Sequence, residues 1–205
     1  MKFKSLIAAA LLTFAVSATA QDAVFGIKSG IVTTEMDMMG QPMTQKLYFD
    51  DFGKKQVTVS DFGGGQMRML QQDGAQIMIN DAEKTATRMP AFGMMGGGAQ
   101  INFNNLTDEV KAQNNIKELG EETIAGKACK KYSITTEGMM GEQTRTVWIY
   151  KGITMKSSTS MGDMGEMVQT VTKLEEDATI DAAMFTVPAG VEIQEFDMSQ
   201  FGGGF

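Results

Sequence analysis

The chain has 205 residues, with 18 Lys and Arg against 25 Asp and Glu, 19 Met, 23 Gly, one Cys and no His. Without His there is no Ser-His-Asp triad, no Cys-His dyad and no His-held zinc or haem; one Cys excludes an internal disulfide framework, an all-cysteine zinc site and a cysteine-held iron–sulfur cluster. A net charge of −7 with pI near 4.7 excludes the basic footprint that nucleic acid requires.

Residues 1–20 read as a cleaved signal peptide. Lys2 and Lys4 form a basic start, Leu6 to Val16 is a short apolar stretch, and Ala18-Thr19-Ala20 supplies the small residues of a cleavage site. The apolar stretch is about half the ~20 residues needed to span a bilayer. Its removal leaves 185 residues with 16 basic against 25 acidic side chains. The expected product is exported, to the periplasm or exterior of a Gram-negative-type envelope, as a single antiparallel β domain over 21–198 with a Gly-rich flexible tail at 199–205.

Strand signals begin at Gly26 to Met38, with β-branched Ile31, Val32, Thr33 and Thr34. A turn at Met39-Gly40-Gln41-Pro42 leads into Met43 to Asp50, and Asp51-Phe52-Gly53-Lys54 turns again. Strands then follow at Gln56 to Ser60, Met67 to Gln71, Gln76 to Asn80 and Lys84 to Met89, separated by Asp-, Asn- and Gly-rich turns. Pro90 to Ala99 is a Gly- and Met-rich loop. Thr107 is placed to cap a short helix with Asp108 and Glu109 in its first turn, ended by Asn114-Asn115. The meander resumes with Ile116 to Thr123, Cys129 to Glu137, Gln143 to Tyr150, Thr154 to Ser160 and Met167 to Leu174, and Asp181 to Met184 forms one helical turn. The expectation is roughly ten strands by these alternation signals. Val147 and Ile149 point one way and Trp148 and Tyr150 the other, so this strand is covered on both faces.

Three segments carry a family resemblance: Gly126-Lys-Ala-Cys-Lys-Lys-Tyr132-Ser-Ile, Val147-Trp-Ile-Tyr-Lys-Gly152 and Phe185-Thr-Val-Pro-Ala-Gly190. In their strand order the chain resembles secreted envelope proteins of unknown function grouped with the LolA/LolB-type lipoprotein carriers. The resemblance implies a mainly β fold, a strongly curved antiparallel sheet or incomplete β-barrel with one or two short helices and a hydrophobic concavity. Gln21 to Phe25 leaves almost no room for the amphipathic helix with which those carriers begin.

Methionine is the most unusual residue, clustering at Met36, Met38 and Met39; Met94 and Met95; Met139 and Met140; and Met161, Met164 and Met167. Three readings stand side by side: ordinary apolar residues near Gly-rich strand ends, a flexible and polarizable lining for hydrophobic ligands, or thioether ligands for Cu(I) at Met36, Met38, Met39, Met94, Met95, Met139 and Met140. For a hydrophobic ligand the candidate lining is Phe49, Trp148, Tyr150, Met94 and Met95.

The remaining motifs are structural. Asp51-Phe52-Gly53 and Asp61-Phe62-Gly63 lack the companion motifs of a kinase and read as turns. The Gly triplets lack the Lys-Ser/Thr of a phosphate loop. Cys129 reads as a small buried hydrophobe, and Glu121-Glu122 and Glu175-Glu176-Asp177 as solvated strand ends. A terminal Phe205 suits an outer-membrane barrel, but one Trp and three Tyr cannot build its aromatic girdles. No catalytic constellation and no cofactor is indicated. The expectation is a non-enzymatic binding protein whose partner is a hydrophobic small molecule or lipid, with peripheral membrane contact. The alternatives are a Met-rich Cu(I)-binding protein and an envelope structural or interaction protein.

Overall fold

Among the described residues, alternating apolar and polar residues between turns build twelve strands, with one short α-helix. The computed structural model describes residues 23–38, 41–61, 66–72, 75–89, 101–138, 141–160 and 165–196. In chain order the strands are β1 Gly30–Met38, β2 Gln41–Asp50, β3 Lys55–Asp61, β4 Gln66–Gln72, β5 Ala75–Asn80 and β6 Thr85–Met89. After helix α1, Asp108–Gln113, come β7 Ile116–Ile124, β8 Lys127–Gly138, β9 Gly141–Tyr150, β10 Ile153–Ser160, β11 Glu166–Glu176 and β12 Ile193–Glu195. They form one open sheet in the order β12-β6-β5-β4-β3-β2-β1-β11-β10-β9-β8-β7. Every pairing is antiparallel except that of β12 with β6. Among the described residues, no helix is long and apolar enough to cross a membrane.

The topology is two meanders, β1 to β6 and β7 to β11, fused where β1 pairs with β11. One buried cluster shows how the sheet bends. It takes Phe49 from β2, Val32 from β1, Val171 from β11, Ile153 and Met155 from β10, Trp148 from β9, Cys129 from β8 and Ile124 from β7. Seven adjacent strands laid flat span roughly 29 Å at ~4.8 Å per gap. Their side chains meet in one cluster only because this part of the sheet curls, bringing β11 against β7. Phe25 and Ile27 close one end of that core, with the Phe25 ring packed edge-on to Phe49 at 4.8 Å.

Two smaller cores complete the structure. Val57, Leu70, Ile77, Ile79 and Ala86 on β3 to β6 are covered by Met184, Phe185, Val187 and Val191 from the C-terminal segment. Ile116, Tyr132, Ile134, Val147 and Ile149 are covered by Ile101, Phe103 and Leu106. Val147 and Ile149 therefore belong to one core and Trp148 to another, as expected for a strand covered on both faces.

The structure departs from the sequence reading in four places. The first strand starts at Gly30, because Val24 and Phe25 instead donate their N–H groups to Phe52 O and Gly26 donates to Lys151 O. Gln41 and Pro42 already belong to β2 rather than to a turn. Strand β12 is only three residues long, too short to show alternation, and it pairs with β6 some hundred residues away. Glu176 is not a solvated strand end but a half-buried acceptor, as described below. The local cap forms where expected, with Thr107 accepting from Val110 N–H, and the helical turn expected over Asp181 to Met184 is a 3-10 turn over Ala182–Phe185 with Asp181 as its cap. Asp51–Gly53 is a tight turn with all three residues at positive φ; Phe62 and Gly63 lie outside the described residues. Cys129 is fully buried, and its thiol donates to Lys127 O.

The Phe49 ring lies across β1 at Gly30. A Cβ there would meet Phe49 Cζ at 2.6 Å and Glu175 O at 2.7 Å. Gly30→Ala is expected to cost about 1–3 kcal/mol through overpacking, read as a lower urea midpoint at unchanged slope.

Candidate functional site

Cross-strand register decides which residues share a face. Three rungs of five residues run across β2 to β6: Gln45–Ser60–Met67–Asn80–Thr85, Leu47–Thr58–Met69–Met78–Thr87 and Phe49–Gln56–Gln71–Gln76–Met89. Leu47 also pairs with Val32, and Leu47 and Phe49 pack in the large curled core. This face is therefore continuous with the interior of the curled half. The opposite face carries Tyr48, Val57, Leu70 and Ile77, the core covered by the C-terminal segment.

A cavity of about 450 Å³ opens on the first of these faces, lined by Gln45, Thr58, Ser60, Met67, Arg68, Met69, Gln76 and Met78. Its volume falls within the range of small-molecule sites. Met69 and Met78 are direct cross-strand partners, and Met67 lies two residues from Met69 on the same face. All three are half-buried, so their flexible thioether chains form the floor and remain accessible. Gln45, Gln76, Thr58 and Ser60 add amide and hydroxyl groups. Arg68 is the one charged residue of the lining, and its guanidinium is engaged on the far face. There it makes two 2.6 Å bonds to the Asp81 carboxylate and donates to Met184 O in the C-terminal cover.

A second cavity, about 410 Å³, lies between the 101–113 segment and β7 to β9. Phe103, Leu106, Tyr132, Ile149 and Tyr150 give it apolar walls, and Lys111, Lys130, Lys151, Glu118 and Glu121 bring both signs of charge. Behind Tyr150 sits an ionic hub. Glu176 accepts from Lys127, from Lys151 Nζ at 3.0 Å and from the Tyr150 hydroxyl at 3.2 Å. Both ammonium groups also stand over the Tyr150 ring, at 5.4 and 5.1 Å from its centre. The Lys127 hydrogen bond, followed by that of Lys151, holds the Glu176 carboxyl down at about 2. The same contact raises Lys127 and Lys151.

The residues anticipated from sequence are distributed unevenly. Tyr150 lines the second cavity. Phe49 is fully buried and lines neither. Trp148 is 5 % exposed, donates to Glu122 Oε2 at 2.7 Å and is sandwiched by the Lys131 and Lys156 ammonium groups at 4.8 and 4.6 Å. Met36 is half-buried opposite Met43 on β2, and the backbone of Met38 ends β1. Met39, Met94, Met95, Met139 and Met140 lie outside the described residues. Met67, Met69 and Met78 are not among the residues anticipated from sequence, yet a signal is present. Met67 and Met69 alternate with Arg68 and Leu70, and Met78 stands between Ile77 and Ile79, so these strands, like β9, are apolar on both faces. Among the described residues, no group of three or more Cys, Asp or Glu is placed to hold a metal ion.

No family model and no curated protein matches this chain in sequence. Solved structures do match in shape. An uncharacterized conserved protein from Thermus thermophilus aligns with a TM-score of 0.55 at 8 % identity, over 82 % of this chain and 91 % of its own. MucB aligns at 0.53 and 13 % identity, over 84 % of this chain and 61 % of that one. In the MucA/MucB complex of Pseudomonas aeruginosa the values are 0.50 and 14 %, over 78 % and 56 %. The chain thus spans less than two thirds of the length of the MucB chains it matches. At these identities the likeness is one of fold alone, the open, curved β-sheet that the sequence resemblance implied.

Glu176 gives a pH signature. Its carboxyl titrates near 2 when folded, against about 4.3 in an unfolded chain. The hub's contribution is therefore complete above that unfolded value and is lost as pH falls from there through about 2. Glu176→Gln is expected to flatten the stability–pH curve in this window, measured by chemical denaturation at stepped pH.

Proposed function

We propose that the chain is an exported, non-enzymatic binding protein that holds a hydrophobic molecule, such as a lipid or acyl chain, in the methionine-floored groove on β2 to β5. The observation that carries this reading is the continuity of faces. The sheet face that forms the buried interior in the curled half emerges over β3 to β5 as an accessible groove of about 450 Å³, floored by Met67, Met69 and Met78. Methionine suits such a floor, because an unbranched polarizable chain reshapes itself around varied apolar ligands at little cost. Export is supported by the basic, apolar and small-residue regions of residues 1–20. The fold shared with MucB, which has been solved in complex with MucA, supports a binding role.

The reading is tested with a neutral apolar dye, N-phenyl-1-naphthylamine, whose fluorescence rises on leaving water. Wild-type protein is expected to enhance it saturably. Met69→Lys and Met78→Lys are each expected to weaken binding roughly tenfold or more by placing an ammonium in the groove. Both positions are half-buried on a face that no described segment covers, so the denaturation midpoint should fall little. Dye binding unchanged by both substitutions overturns the assignment to this groove.

A further inference from the structure

The groove face is unusual for its charge. A chain that is 21 % Asp, Glu, Lys and Arg would place about three such residues among fifteen positions. The three rungs across β2 to β6 hold none: they consist of Gln, Asn, Ser, Thr, Met, Leu and Phe. The charges of the same strands lie on the other face, at Lys46, Asp50, Lys55, Asp61, Arg68 and Arg88. Arg68, which lines the groove, has its guanidinium held by Asp81 and Met184 O beneath the C-terminal cover. Among the described residues, the groove therefore offers no counter-ion to either sign.

What it does offer is uncharged hydrogen bonding beside thioether. Gln45 and Gln76 each supply an amide donor and acceptor, and Thr58 and Ser60 each a hydroxyl. A hydroxyl, ester or amide head group can exchange its water for these partners. A carboxylate, phosphate or ammonium loses hydration there with nothing of opposite sign to replace it.

Resting on the groove reading above, we propose that the groove selects amphiphiles with an uncharged head group, of the acylglycerol or fatty-amide class, over anionic and cationic amphiphiles of the same chain. The absence of charge from all three rungs, with the one bordering guanidinium neutralised on the opposite face, makes the selection a property of the sheet's alternation and not of one residue.

The test uses three twelve-carbon probes below their micellar concentrations at pH 8: 1-monolauroylglycerol, laurate and dodecylammonium. Binding is followed by the methyl resonances of ¹³C-methyl-methionine protein, with Met67, Met69 and Met78 assigned by single Leu substitutions. The glycerol ester is expected to shift those three methyls saturably, and both ions to bind roughly tenfold or more weakly. Thr58→Lys is expected to reverse the order between the ester and laurate. Equal affinity for all three overturns head-group selection while leaving the groove as the hydrophobic site. Tightest binding of dodecylammonium also overturns it, since the acidic chain's overall field would then dominate the local face. If no probe moves these methyls, the groove reading itself fails.

Discussion

The structure depends on the antiparallel pairing of β1 with β11, which joins residues about 140 apart in the chain. Each half is a local meander whose hairpins form from neighbouring sequence. Only this ladder makes them one sheet, and it brings Val32, opposite Leu174, and Val171, opposite Thr34, into the largest core. Loop closure over such a distance is costly and must be repaid by burial. Phe49, Trp148, Met155 and Val171 supply it, at about 1.5–3 kcal/mol for each fully buried large apolar side chain. The ladder is interrupted by a bulge between Thr33 and Thr34, and the β9–β10 pairing by another beside Met155. Bulges sharpen twist and bending, and both lie where the sheet curls round its core.

The curl divides the two halves by use. From β7 to β2 the inner face is filled by its own side chains and closed at one end by Phe25 and Ile27. From β3 to β5 no described strand opposes the same face, and its residues turn to methionine, amide and hydroxyl. The other face of β3 to β6 would be an exposed apolar surface, but the C-terminal segment covers it and adds Met184 O to the Asp81 carboxylate, from the β5–β6 turn, as a partner of Arg68. One side of this part of the sheet is given to stability and the other is left accessible. The outer edge at β7 carries Lys117, Glu118, Glu121 and Glu122 with a bulge at Leu119, which discourages pairing with another chain.

The parts legible in the sequence share a physical basis: they are local. Turn residues and period-two alternation place eleven strands within a few residues, and Thr107 identifies its cap because capping involves only the next three residues. The two-faced burial of β9 follows from Val147-Trp148-Ile149-Tyr150 alone. The same rule applied to Met67-Arg68-Met69-Leu70 and Ile77-Met78-Ile79 marks β4 and β5 as double-faced, which is where the groove lies. Methionine pairs flanked by glycine point elsewhere, to positions mostly outside the described residues. The role of Glu176 is not legible locally, because its partners, Lys127 and Lys151, come from the β7–β8 and β9–β10 corners, and the chain order does not show that these meet the end of β11.

By itself the amino-acid sequence determined the β character, the approximate positions of eleven strands, the absence of His- or Cys-based chemistry and the list of side chains sharing each strand face. Alternation has a period of two, so it sorts residues into two faces but does not say which face is covered or by what. That was decided by the tertiary structure, through the β1–β11 ladder that curls one half on itself and the C-terminal segment that returns to cover the other. The uncharged groove is the face that neither of them occupies.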